Sequence, residues 1–183
     1  LGGDLVIAKE IAGSRIYWPD QGIINLNFVE PGKAYQILMN VEGELDYTGL
    51  GGNATAPLAS NIELNEFENL TPWNDLQRTG VSHTIAIENT AWDGIPDLNY
   101  GDYLAVFTQN GISAGMMIFT GNESNVAVTA YGDDHTTSTL TEGFIEGEYM
   151  SFMLFNPMTG EELTLKAEFD QSLPNDDIFA SNG

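Results

Sequence analysis

Short runs of alternating apolar and polar residues, cut by Gly, Asn, Asp and Pro, recur along this chain, while apolar residues at helical spacing are almost absent. A side-chain repeat of two fits strands and no helix, so the pattern predicts an all-β fold. The predicted strands are "DLVIAKE", "SRIYW", "IINLN", "AYQILMN", "ELDYT", "NIELNEF", "VSHTIAIE", "DYLAVFTQ", "ISAGMMIFT", "SNVAVTAY", "EYMSFMLFN" and "EELTLKAEF". So many strands without helices to cover them must pack sheet on sheet, which predicts an antiparallel β-sandwich, immunoglobulin-like or jelly-roll-like. Two hairpins stand out. Asn110–Gly111 in "FTQNGISAG" predicts a type I′ turn, and Pro157 with Gly160 in "LFNPMTGEEL" closes a longer one. A turn at Ala12–Gly13 joins the first two strands.

The glycine-rich, nearly uncharged stretch "GLGGNATAPLAS" at 49–60 reads as a linker or crossing loop. The expected organisation is a small N-terminal β unit (1–50), a linker (51–60), a β-sandwich domain (61–172) on which the smaller unit packs, and a tail (173–183) that loses alternation.

Charge narrows the partners. With 27 acidic residues against five basic ones the formal net charge is −22, a field that repels nucleic acid and anionic lipid. No apolar run approaches the length of a membrane span, so no direct membrane insertion is expected. The absence of cysteine excludes disulfides, thiolate metal sites and cysteine nucleophiles. The chain opens on "LGGDLV" without a basic, apolar leader, which for an exported protein implies a mature fragment.

The densest chemistry lies in "YGDDHTTSTLTEGFIEGE" at 131–148, with five carboxylates, one histidine and no basic residue. Hard cations take carboxylate and carbonyl oxygens from such turns, so Asp133, Asp134 and Glu142 are candidate calcium ligands. The Asp-x-Asp-x-Asp-Gly spacing of a known calcium loop is missing, however. The competing expectation is that these aspartates accept backbone N–H bonds and that Gly132, Gly143 and Gly147 reverse the chain. The segment "AWDGIPDLNYGD" at 91–102 carries the same two alternatives. No other cofactor is implied.

His83 shares one side of a predicted strand with Val81, Ile85 and Ile87, which points to a hydrogen-bonded structural histidine. There is no Gly-x-Ser-x-Gly elbow, and Ser82 and His83, adjacent in sequence, project to opposite faces of a strand. A glycosidase pair of carboxylates is not marked by any spacing. Trp18, Trp73 and Trp92 each adjoin turn-forming residues, either as core plugs or as a platform on which sugar rings stack. Asn53 and Asn122 fit glycosylation sequons.

Two blocks of residues carry a resemblance. The first holds Tyr17, Trp18, Pro19, Pro31, Gly32, Tyr35 and Gln36. The second holds Ser82, His83, Thr84, Gly101, Asp102, Val106, Phe107, Gly132, Asp133, Asp134, Gly143, Phe144, Gly147 and Glu148. Together they resemble surface proteins of Bacteroidetes that carry a type IX secretion sorting tail. Ala105, Glu142 and "INLNF" depart from the family pattern at positions that affect turns and packing. The resemblance implies export, surface display and a β-sandwich module, with no catalytic residue to carry over. The expected function is therefore a non-catalytic, extracellular display, adhesion or interaction module of a larger secreted or cell-surface protein, its partner a surface protein or a glycan. The alternative is a carbohydrate-binding module attached to a secreted polysaccharide-degrading enzyme.

Overall fold

The computed structural model describes residues 4–11, 13–30, 32–42, 69–121, 124–137, 139–181 and 183. The expected strands "ELDYT" and "NIELNEF", the 51–60 linker, Ala12, Pro31, Asn53 and Asn122 lie outside these residues.

The fold is all-β. Four strands, β1 (Leu5–Glu10), β2 (Ile16–Trp18), β3 (Ile23–Ile24) and β4 (Tyr35–Met39), make a small antiparallel sheet in the order β3-β2-β1-β4. Six more, β5 (Ser82–Ile87), β6 (Tyr103–Phe107), β7 (Ser113–Ile118), β8 (Val126–Tyr131), β9 (Ser151–Asn156) and β10 (Glu161–Leu165), make a larger one in the order β10-β9-β6-β7-β8-β5. Together they form an antiparallel β-sandwich, with the N-terminal sheet packed beside β5. Lys9 Nζ donates to Thr84 Oγ1 at 2.9 Å across the junction, and Asn125 Nδ2 donates to the Gln21 carbonyl at 2.7 Å.

Alternation builds the core of the larger sheet. The register pairs Ile85 with Val128, Leu104 with Leu154, and Val106 with Phe152, so these apolar side chains share one face. That face is closed by residues from connections: Trp92, Phe119, Phe144, Met150 and Phe179 join the same buried cluster. Phe144 and Phe179 stack at 5.1 Å with ring planes 8° apart. Phe179 is 1% exposed, although it lies in a stretch without alternation. Burying each such side chain contributes about 1.5–3 kcal/mol.

Both predicted hairpins form. The turn between β6 and β7 departs from type I′, because only Gly111 has positive φ (+80°) while Asn110 keeps a negative one. Gly111 N–H donates to the Thr108 carbonyl and Thr108 N–H to that of Ile112. This is a three-residue loop with glycine in the left-handed position; one step further along the strands the register shifts between Phe107↔Ser113 and Val106↔Gly115, leaving Ala114 as an extra residue on β7.

Candidate ligand cleft

In the acidic stretch 131–148, hydrogen bonds tie most carboxylates to neighbouring backbone. Asp133 Oδ1 accepts the Glu142 N–H at 3.0 Å, and its Oδ2 lies 3.8 Å from the largely exposed His135 ring. Asp134 Oδ1 accepts the N–H (2.9 Å) and hydroxyl (2.7 Å) of Thr136, and these bonds hold its carboxyl below the usual aspartate range. Glu142 Oε2 takes the Thr137 hydroxyl at 2.8 Å. Glu148 accepts N–H groups from Gln109 and Ile145, one on each oxygen. Glu146, which accepts the Ser181 hydroxyl and N–H, titrates below its ordinary value for that reason. Gly143 sits so close to the Tyr131 carbonyl that no Cβ would fit, which lets Phe144 N–H reach that carbonyl at 3.0 Å. The three proposed calcium ligands thus adjoin one another along a hydrogen-bonded loop. Among the described residues no group of three His, Cys, Asp or Glu side chains is placed to hold a metal ion.

The tryptophans divide between two places. Trp73 packs edge-on against Phe107 (5.1 Å) and Phe155 (5.8 Å), and its indole N–H donates to Glu162. Trp92, 4% exposed, lies against Phe119 at 5.1 Å with its Nε1 buried and without a partner. Trp18 is half-buried at the end of β2. Trp18 and Trp92 line a common cleft that Trp73 does not reach, so the three form no single platform.

That cleft measures about 1180 Å³, above the roughly 300–1,000 Å³ usual for ligand pockets. Residues of β1 and β4 form one side, all six positions from His83 to Glu88 form another, and the segment 165–170 contributes Leu165 and Phe169. Its walls are mainly apolar. Exposed Asp20, Glu88 and Asp170 stand among its polar lining residues.

Three basic side chains line this cleft, the exposed Lys166 and the buried His83 and Lys9. His83 is 6% exposed; its Nδ1 accepts the Ala180 N–H at 3.0 Å, which places the proton of the neutral ring on Nε2. Burial, reinforced by Lys9, pushes its pKa below the ordinary histidine value. The imidazole thereby anchors residues 179–181, with Phe179 5.9 Å away, and next to it the Gly183 carbonyl accepts Thr84 N–H. Among the described residues His83 pairs with the Ala180 N–H and His135 lies beside Asp133, and neither bonds a serine or threonine hydroxyl.

Lys9 is the unusual group. It is 5% exposed, and its ammonium has Thr84 Oγ1 as hydrogen-bond partner. Burial pushes its pKa down to about 8, and no carboxylate among the described residues counters that. Arg15 and Lys33, by contrast, are engaged by acids: Glu10 lies 3.0 Å from Arg15 and 2.7 Å from Lys33, and Glu30 lies 2.8 Å from Arg15. The sequence held one signal for Lys9. In "DLVIAKE" it falls in the same phase as Leu5 and Ile7, the apolar side of the strand.

Fold and cleft define the class: an all-β protein of two antiparallel sheets with a ligand-sized opening where they meet. No protein-family model, curated protein or solved structure matches the chain. No helix among the described residues is long and apolar enough to cross a membrane.

Proposed function

We propose that this chain is a non-catalytic interaction module of a larger secreted or cell-surface protein, displayed outside the cell, which meets its partner in the cleft beside β5. One observation carries the reading: a large, mainly apolar opening combined with polar side chains that are already hydrogen-bonded to the chain's own backbone. His83 and Asp133 hold structure together, which leaves the cleft as the surface available to a ligand. Export by the type IX route belongs to the same reading and rests on the Tyr17-Trp18-Pro19 and Gly132-Asp133-Asp134 blocks.

A second reading, a carbohydrate-binding module of a polysaccharide-degrading enzyme, is favoured by Trp18 and Trp92 in the same cleft with Asp20 and Gln21 beside them. Binding of the purified chain to parallel arrays of extracellular proteins and of glycans separates the two. Protein binding that is lost in Ile37→Asp supports the first, and glycan binding lost in Trp18→Ala supports the second. Release of reducing sugar from any arrayed glycan refutes both.

A further inference from the structure

The interaction reading can be carried to the chemistry of the partner, because the cleft opens onto main-chain groups as well as side chains. Among the described residues β5 ends the larger sheet and pairs with β8 alone, in unbroken register from Ser82↔Tyr131 to Ile87↔Val126. Thr84 N–H does not point to β8, since it donates to the Gly183 carbonyl at 3.0 Å. Along an antiparallel pair the hydrogen-bonding direction alternates, so Ala86, two residues on, also turns its N–H and C=O away from β8. Residues His83 to Glu88 line the cleft, hence this edge faces the opening between the sheets. "SHTIAI" has no Pro, Lys or bulge of the kind that guards a free edge.

Opposite the edge stand Ile37 and Leu38 of β4, the latter 56% exposed despite its apolar side chain. Beside it is the Lys9 ammonium, buried, with two protons beyond the one given to Thr84 and, among the described residues, no carboxylate to neutralise it. A desolvated cation without a counter-ion favours a ligand that brings one. The main-chain donor and acceptor of Ala86, apolar walls for side chains of alternate residues, and the buried ammonium of Lys9, set deeper than the exposed Lys166 and carboxylates of the lining, together match a polypeptide strand. A second copy of the chain fits less well, since each copy carries a net charge of −22.

We propose that an extended segment of a partner polypeptide, with apolar residues at alternate positions and one acidic residue, adds as a strand to the edge of β5 at Ala86, beyond the part that Gly183 covers, and sets its carboxylate on Lys9. This rests on the interaction-module reading.

The test uses a phage-displayed library of random nonapeptides selected on the full chain at neutral pH. Enriched sequences are expected to alternate apolar residues and to share one Asp or Glu. The best peptide, synthesised, should bind at least tenfold more tightly than its amide counterpart (Glu→Gln or Asp→Asn), a comparison that needs no protein variant. Lys9→Met should abolish that preference. Ala86→Pro, which removes an outward N–H and leaves the β8 pairing intact, should weaken binding at least tenfold. Failure to enrich any sequence, equal binding of acid and amide peptides, or indifference to Ala86→Pro overturns the proposal. So does self-association in sedimentation that Ala86→Pro abolishes, because the edge would then serve a second copy. A chain that binds arrayed proteins or glycans but no peptide loses strand addition alone; one that binds nothing loses the interaction reading as well.

Discussion

Replacing Lys9 by methionine should make the protein more stable at neutral pH and less stable in alkali. The lysine pKa lies at about 8 in the fold against 10.5 for the free side chain, because burial disfavours the charged form. At 1.36 kcal/mol per pH unit, holding that charge in the folded state costs about 3 kcal/mol below pH 8. The hydrogen bond to Thr84 offsets part of this, by about 1 kcal/mol. Methionine keeps the length and apolar contacts of the side chain, so at pH 7 the variant should gain about 1–2 kcal/mol. As pH rises from 8 to 10.5 the folded wild type sheds the proton while the unfolded chain keeps it. Unfolding then takes up a proton, so wild-type stability climbs through this window. By pH 10.5 the cost of the charge is gone and the variant retains only its lost hydrogen bond, which leaves it less stable by about 1 kcal/mol. Urea denaturation of both proteins at pH 7 and 10.5 measures the two differences, and effects of other titrating groups cancel between them. The same difference at both pH values, or a variant already weaker at pH 7, would refute the burial argument.

His83→Ala should cost about 1–3 kcal/mol by leaving the Ala180 N–H unpaired and loosening Phe179, which thermal melting will show. Because the folded histidine titrates below its unfolded value, the unfolded chain binds the proton first on acidification, so wild type should lose stability as pH falls below about 6.5 and the alanine variant should lose less. Gly111→Val should cost about 1–2 kcal/mol in urea titrations, since residue 111 has a φ of +80°; unchanged stability would mean the turn has relaxed. Asp133→Ala should cost about 1 kcal/mol through the orphaned Glu142 N–H, equally in chelator and in millimolar calcium. A calcium-dependent rise in melting temperature that disappears in the variant would instead establish an ion site among Asp133, Asp134 and Glu142.

The strands were legible because each sheet face imposes a period of two. "VSHTIAIE" contains β5 and "DYLAVFTQ" contains β6, and both hairpins sit where Asn110–Gly111 and Pro157–Gly160 place them. The turn type was not, since Asn-Gly suits both a two-residue loop and a three-residue loop with glycine last, and pairing of Phe107 with Ser113 decides between them. What closes the core was also hidden. Trp92, Phe144 and Phe179 come from segments without regular spacing, and irregular backbone leaves no periodic trace. The cleft was partly visible: Trp18 and Trp92 adjoin turn-forming residues, whereas the phase Lys9 shares with Leu5 and Ile7 is its one local hint. Its burial depends on β5, 75 residues away in sequence, which no local pattern encodes.

The clasp that His83 and Thr84 make with Phe179, Ala180 and Gly183 has a consequence for synthesis. Phe179 fills the core against Phe144, Ala180 occupies His83, and the Gly183 carbonyl takes Thr84 N–H. A chain emerging from the ribosome has β5, β6 and β8 long before these partners. Until residue 180 is free, Phe144 lacks its stacking partner and the imidazole lacks its donor, which lies 97 positions further along the chain. The larger sheet therefore cannot reach its final packing until Phe179 and Ala180 have left the ribosome. A nascent chain stalled just short of Phe179 should be open to proteases that spare the released protein.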